Sequence, residues 1–261
     1  MDEILVDDVD DVRWLTLNRP TVHNAQNTAM LEALLAVLED THRRDDLRAL
    51  VLRGAGPSFS SGHDLRESAV NPAFAEAIRT ADGRRRWERR LFVRPVELLE
   101  DLPIPTVCAV QGHCLGAGVM FAAAADLVVA ADDAVFGSPV VTALAVNDAE
   151  VPSFAWELGV RRAKQALWFD ERLDAAEAHR IGFVNWVVPA DRLTATVEDV
   201  VRRLLAVPAE TLALSKATFA FMQDRLGRRD TARYHFVNHV LSHQTEPAQA
   251  AAAARRAGRA G

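Results

Sequence analysis

The stretch Thr106 to Asp126, TVCAVQGHCLGAGVMFAAAAD, constrains this chain more than any other. Thr106 to Val110 is a short apolar run that predicts a buried strand, and Gln111 to Gly116 predicts a turn. The small and apolar residues from Leu115 to Ala125 predict a helix sunk in the core. A glycine-rich turn between a strand and a buried helix aims the first free backbone N–H groups of the helix at one point. Such a point holds an anion, or an oxygen that becomes one. Close packing of helix on sheet also favours Gly116, Ala117 and Gly118, so the turn alone leaves both readings open.

Around this stretch the chain alternates strands and helices. Ile4 to Val6 and Val12 to Leu17 predict two strands, and Asn18 to Pro20 break the pattern. Asn27 is a plausible N-cap for a helix carrying Leu31, Leu34, Leu35 and Leu38 at helical spacing. Ala49 to Leu52 is an uninterrupted apolar run, the mark of a parallel strand covered on both faces. A second glycine-rich turn, Gly54 to Leu65, follows it. Residues 70 to 83 are polar and poorly periodic, which predicts a mobile loop, and Arg84 to Asp101 reads as one helix. Short strands are expected at Leu127 to Ala130 and Ala134 to Phe136, an irregular stretch from Pro139 to Pro152, and helices at 153–158 and 162–169. Asp174 and Glu177 form a capping box for a helix that Gly182 stops. A strand-like run, Phe183 to Val188, leads to helices near 190–205, 208–226 and 230–244 and to a tail, AAAARRAGRAG, expected to fray. The order implies an α/β core over residues 1–195 and a helical C-terminal region over 196–261. Ligands of such sheets bind beyond the carboxyl ends of the strands, where both glycine-rich turns lie.

Composition removes several classes. A net charge of −6 argues against a general nucleic-acid binder, whose footprint is basic. No apolar run reaches the roughly 18 residues of a membrane span, and the acidic start MDEILVDDVDD resembles neither a signal nor a transit peptide. Cys108 and Cys114 form no disulfide framework or metal spacing and read as small buried residues in a reducing cytoplasm. Gly116-x-Gly118 is not a dinucleotide fingerprint, because Phe121 stands where the third glycine belongs.

Seven motifs then carry a resemblance. NRP at 18–20, HNAQN at 23–27, LVLRGAGPSFSSGHDL at 50–65, IPTVCAVQGHCLGAG at 104–118, AAADLVVAADDAVFG at 123–137, LGVRRAKQ at 158–165 and LDAAEAHRIGFVNWVVP at 173–189 together resemble the crotonase, or enoyl-CoA hydratase/isomerase, superfamily. The resemblance implies a spiral of ββα units followed by a helical region that packs homotrimers or dimers of trimers. It implies an acyl-CoA thioester as substrate, with coenzyme A part of that substrate and no tightly bound cofactor. It assigns the backbone amides of His63 and Ala117 to the thioester oxygen, where they stabilise an enolate. By motif position, coenzyme A is expected near Ala25, Ser61, His63 and Gly116, with Arg66 toward its phosphates.

The resemblance fails where hydratases carry two glutamates: those positions hold Met120 and Val140, neither of which moves a proton. Hydration by the two-carboxylate route is therefore not expected. Asp148 and Glu150 are the candidate acid/base replacements, Asp148 also falling near the nucleophile of dehalogenating relatives that act on 4-chlorobenzoyl-CoA. The alternatives for the pair are solvated loop acids, or Glu150 as a helix cap. The His63 side chain is a third option, because Ser-Gly-His-Asp resembles the same turn in methylmalonyl-CoA decarboxylases. Decarboxylation, hydrolysis, atypical isomerisation and a non-catalytic acyl-CoA-binding subunit stay open at this point. His235, His239 and His243 share a helical face, read as packing or a subunit contact rather than zinc binding. The run Arg84, Arg85, Arg86, Arg89 and Arg90 reads as a solvated helix face, with electrostatic attraction of the coenzyme A phosphates as the alternative. Met120, Val140, Val141, Leu144 and Trp87 are candidates for an apolar acyl pocket.

Overall fold

Apolar strands without alternation need cover on both faces, and the main sheet receives it. The computed structural model describes residues 2–257. Among the described residues nine strands, β1 (Ile4–Val9), β2 (Val12–Leu17), β3 (Ala49–Gly54), β4 (Thr106–Val110), β5 (His113–Leu115), β6 (Leu127–Ala131), β7 (Val135–Gly137), β8 (Leu173–Asp174) and β9 (Trp186–Val188), form two sheets. The larger has the order β1-β2-β3-β4-β6-β9 and is antiparallel only between β1 and β2. The smaller has the order β5-β7-β8.

Successive side chains of a strand point to opposite faces. On β3, Leu50 and Leu52 join Leu15, Val110 and Ala130 in one core, with Met30, Leu34 and Leu38 of helix Thr28–Thr41 and Val96 and Leu99 of helix Arg94–Asp101. Ala49 and Val51 point the other way, into Val107, Val129 and Val197 and Val201 of helix Leu193–Leu205. Truncating a fully buried leucine such as Leu50 to alanine is expected to cost about 2–5 kcal/mol, since the covered site collapses poorly.

The smaller sheet places the functional turns. Each of β4 and β6 is followed at once by a short strand of that sheet, β5 and β7. Isolated bridges extend the same ladder: Ser60 pairs with Cys114, and His63 with Gln26. The two glycine-rich turns therefore lie side by side at the carboxyl ends of β3 and β4.

Several boundaries differ from the sequence expectation. Residues 70–83, expected as a mobile loop, are largely helical. Asn71 accepts the N–H groups of Ala73 and Phe74 and starts helix Pro72–Ala77, and Thr80 caps helix Ala81–Glu88. Polar helices this short show no apolar period, and their caps were the readable signal. The helix expected from Arg84 to Asp101 contains a π-helical turn, Arg89–Val93, that carries the backbone past Pro95, which has no N–H to donate. The turn at Gln111–Gly116 contains β5, so the buried helix begins only at Ala117. The strand expected from Phe183 is confined to Trp186–Val188, and Val140–Leu144 forms a short helix within the irregular stretch. The tail expected to fray is helical from Glu246 to Ala257, and its last four residues, 258–261, lie outside the described residues. Among the described residues no single helix is long and apolar enough to cross a membrane. Ala190–Leu205 and Ala209–Arg225 pass that test only when joined across a 102° bend.

Candidate active site

The site is built first from backbone. Asn24 is fully buried with φ +51°, and its side-chain amide donates to the carbonyls of Ala55, Ser58 and Phe59 at 2.8–3.1 Å while its oxygen accepts the N–H of Arg19 at 2.8 Å. This one residue fastens the glycine-rich turn Gly54 to Leu65 to the segment 18–27. The Gln26 N–H donates to the Gly62 carbonyl at 2.8 Å and the Asp64 N–H to the Gln26 carbonyl at 2.9 Å. In a parallel bridge of this pattern the N–H of His63 points away from Gln26. Gly116 adopts φ +51°, ψ −115°, which turns the chain into helix Ala117–Ala124 and leaves the Ala117 N–H at its start. Among the described residues neither the His63 nor the Ala117 N–H has a protein acceptor.

These turns open on a cavity of about 640 Å³. His63, Ala117, Asp148, Glu150, Ser61 and Gly116 all line it. Ala25 and Arg66 do not. Ala25 is buried with its carbonyl accepting from Arg19, and Arg66 is an exposed side chain paired with Asp64 at 3.3 Å. Of the residues expected to form an apolar pocket, Val140 and Leu144 line the cavity, whereas Met120, Val141 and Trp87 do not. Helix Glu246–Ala257 of the same chain contributes Ala248, Ala252 and Arg255.

The two candidate carboxyls have different surroundings. Asp148 is 5% exposed, and its Oδ1 accepts from the Ser138 hydroxyl at 3.1 Å and the Ala149 N–H at 2.7 Å. Its Oδ2 has no donor among the described residues. Burial dominates and raises the Asp148 carboxyl to about 7, against the lowering effect of these donors and of His239. Glu150 is also buried, which by itself raises it, but attraction to His63 and His239 outweighs burial and holds it well below the usual carboxylate range. Its Oε2 lies 3.3 Å from His63 Nε2 and its Oε1 3.5 Å from His239 Nε2. Neither residue is a solvated loop acid. Glu150 is no helix cap either, because helix Ser153–Glu157 begins without a side-chain cap.

Of the two readings of the histidine row, packing within the chain is the one the structure shows. The face carrying His235, His239 and His243 turns inward and fastens the acidic loop: His235 Nε2 donates to the Ala149 carbonyl at 2.7 Å and His239 Nδ1 to the Asp148 carbonyl at 2.9 Å. Ser242 adds a contact to Asn147 at 3.3 Å. The arginine row is corrected at one position: Arg84 is largely covered and paired with buried Glu88 at 2.7 Å. Sequence reasoning missed Glu88 and Phe92, whose ring stacks on His63 with centroids 3.7 Å apart, and assigned no role to Ser138. Ser138 beside Pro139 was readable as polar and near the site, whereas Glu88 and Phe92 carry no local signal.

The enoyl-CoA hydratase/isomerase family pattern matches residues 9–253. EchA13 of Mycobacterium tuberculosis is 34% identical over 250 residues, covering 90% of this chain and 79% of that protein. 4-Chlorobenzoyl coenzyme A dehalogenase-2 of an Arthrobacter species is 30% identical over 214 residues, covering 82% and 76%. Among solved structures, an enoyl-CoA hydratase/isomerase from Xanthobacter autotrophicus Py2 superposes with a TM-score of 0.85 at 28% identity, covering 98% of this chain and 97% of that one. The α/β core with a helical C-terminal region is the fold these neighbours share. The motif resemblance is thereby borne out, and the chain belongs to the enoyl-CoA hydratase/isomerase family of the crotonase superfamily.

Proposed function

We propose that this enzyme binds an acyl-CoA thioester with its carbonyl oxygen between the His63 and Ala117 amides and moves a proton on the acyl chain with Asp148. The observation that carries the reading is the pair of acceptor-free N–H groups on the same cavity as an Asp148 carboxyl whose Oδ2 has no donor. Two preorganised donors favour the oxygen as it becomes negative, and losing one typically costs about 10²–10³ in rate. A carboxyl near neutrality both takes and returns a proton at working pH. Glu150, held anionic between two imidazoles, serves as structure and field rather than as the proton carrier. This selects isomerisation-type chemistry, deprotonation to an enolate and reprotonation at a second carbon, over two-carboxylate hydration. Met120, 1% exposed, and Val140 occupy the positions where hydratases have glutamates. Decarboxylation or hydrolysis in the same oxygen-binding turn is the second reading, favoured by the similarity to a dehalogenase of an acyl-CoA.

Coenzyme A is then part of the substrate, and the reading needs no resident cofactor. Both cysteines are buried and unpaired, with thiols pushed far up by burial, which fits a reducing cytoplasm. Homotrimers or dimers of trimers fit helix Ala209–Arg225, which buries none of its residues within the chain.

The test is solvent exchange. Enoyl- and acyl-CoA esters incubated with the protein in D2O should gain deuterium on the acyl chain, and Asp148→Asn should slow this by about 10²–10⁴. Undiminished exchange in Asp148→Asn overturns the assignment. Crotonyl-CoA hydration at ordinary hydratase rates overturns the claim that Met120 and Val140 close that route. Tight binding with no turnover of any ester identifies a silent acyl-CoA-binding subunit instead.

A further inference from the structure

Behind the proposed acid/base group, one imidazole lies between two buried carboxylates. His239 is 2% exposed and Glu88 is 1% exposed. The His239 Nδ1–H is committed to the Asp148 carbonyl at 2.9 Å, so its Nε2 faces Glu88 Oε2 and Glu150 Oε1, each 3.5 Å away. A neutral ring with its proton on Nδ1 would aim a lone pair at two anions in a buried site, which is repulsive. A second proton on Nε2 makes both contacts attractive. Charges then balance, Glu88 and Glu150 against His239 and Arg84, whose guanidinium donates to Glu88 Oε1 at 2.7 Å. Glu150 is gripped at both oxygens, by His239 on Oε1 and by His63 on Oε2.

We propose that His239 is a positioning residue for the site. It clamps Glu150 on the side opposite His63, holds the Asp148 backbone through its other nitrogen, and is itself held by the Glu88–Arg84 pair. The catalytic consequence rests on the function proposed above, whereas the clamp does not. The chain of contacts explains why Glu88 and Glu150 sit in one buried place: each faces the cation between them. Besides Glu88, Arg84, Glu150, Asp148 and His63, the groups near His239 are its helix neighbours His235, with ring centroids 6.5 Å apart, and His243, edge-on at 4.8 Å. Burial, Arg84 and His239 push His243 down to about 3, so it is neutral and does not compete for the proton. For His239, burial opposes the charge, but Glu150 and Glu88 outweigh it and raise the ring to about 9. A divalent cation is the competing occupant, since donor atoms of Glu88, His239 and His243 lie within 4.8 Å of one another.

Histidine-labelled protein settles the occupant by NMR without any activity. The clamp predicts a His239 ring protonated on both nitrogens at about pH 7.5, and a titration at least about one pH unit lower in Glu88→Gln. Kinetically, His239→Gln should lower kcat by about 10–100-fold with KM little changed, the signature of misplacement rather than lost binding. A neutral His239 ring, or kcat unchanged in His239→Gln, overturns the proposal. One equivalent of zinc bound by the native protein and lost in His243→Ala also overturns it, because His243 has no part in the clamp. If the native protein turns over no acyl-CoA, the proposed function fails, and the NMR result alone decides the clamp.

Discussion

Gly62 lies against the start of the buried helix so closely that a Cβ on it would stand 3.3 Å from the Ala117 nitrogen and 2.8 Å from the Leu115 carbonyl oxygen. The two N–H groups assigned to the thioester oxygen thus approach each other through a contact that only glycine permits. Gly62 also has φ +89°, where a side chain is strained regardless of space. Gly62→Ala should cost about 1–3 kcal/mol of stability and separate the two donors, lowering kcat/KM by about 10²-fold or more. A thermal melt with steady-state kinetics checks both, and a variant with native activity would show that the two amides do not act together.

The hydroxyl of Ser138 gives the proposed proton carrier a tunable setting. It donates to Asp148 Oδ1 and so favours the ionised carboxyl, opposing the burial that raises it to about 7. If Asp148 works first as a base, kcat/KM rises with pH through about 7. Ser138→Ala removes a stabiliser of the anion, so the limb should move to higher pH, by about one unit for a hydrogen bond of this type. Stability responds in the opposite sense. The folded carboxyl binds its proton more tightly than the unfolded one, whose value is 3.8, so stability falls as pH rises from about 4 to 7. Asp148→Asn should flatten that slope in melts across this range.

Asn24 supports the same turn from below. Its amide bonds three carbonyls of the glycine-rich segment, and its φ of +51° is one asparagine tolerates better than most residues. Asn24→Ala leaves those buried carbonyls and the Arg19 N–H without their partner and adds backbone strain. The expected loss is about 2–4 kcal/mol, read as a lower midpoint in urea with unchanged slope. Asn24→Asp should fail as well, since a carboxylate has no hydrogen to donate to the three carbonyls.

The two glycine-rich turns were legible in the sequence because backbone geometry restricts residue type directly: Gly62 and Gly116 occupy positive-φ positions, and glycine shows in any sequence. The alternation of strands and helices was legible from the apolar runs, whose double cover the two cores supply. The choice between Asp148 and Glu150 was not, because it depends on side chains distant along the chain. His239 lies on a C-terminal helix, and Glu88 precedes a π-helical turn that no apolar period announces. The histidine spacing was visible, but spacing shows only a shared face, and the direction of that face is set by tertiary packing. The short helices Pro72–Ala77 and Ala81–Glu88 show no hydrophobic period, so only their capping residues Asn71 and Thr80 announce them.

The C-terminal helices make the last prediction. On Ala209–Arg225, Phe219 and Phe221 are exposed, and on Arg228–Ser242 Tyr234 and Val237 are exposed as well, while neighbouring Leu226 lies between them. So many large apolar groups on adjoining helices exceed what a monomer normally leaves in water, and packing against further copies of the chain would remove them from it. The native protein should therefore elute at three or six times the chain mass of 28.6 kDa by light scattering. Phe221→Glu combined with Tyr234→Glu places two charges in that contact and should release monomers, since unpaired charges in an apolar interface cost several kcal/mol. Ala248 and Arg255 of the chain's own last helix line the cavity. Released monomers should consequently still bind acyl-CoA, with any loss of turnover tracking their lower thermal stability. A native protein that is monomeric at micromolar concentration would sink the oligomer assignment, and a monomeric variant unable to bind would show that a neighbouring chain completes the site.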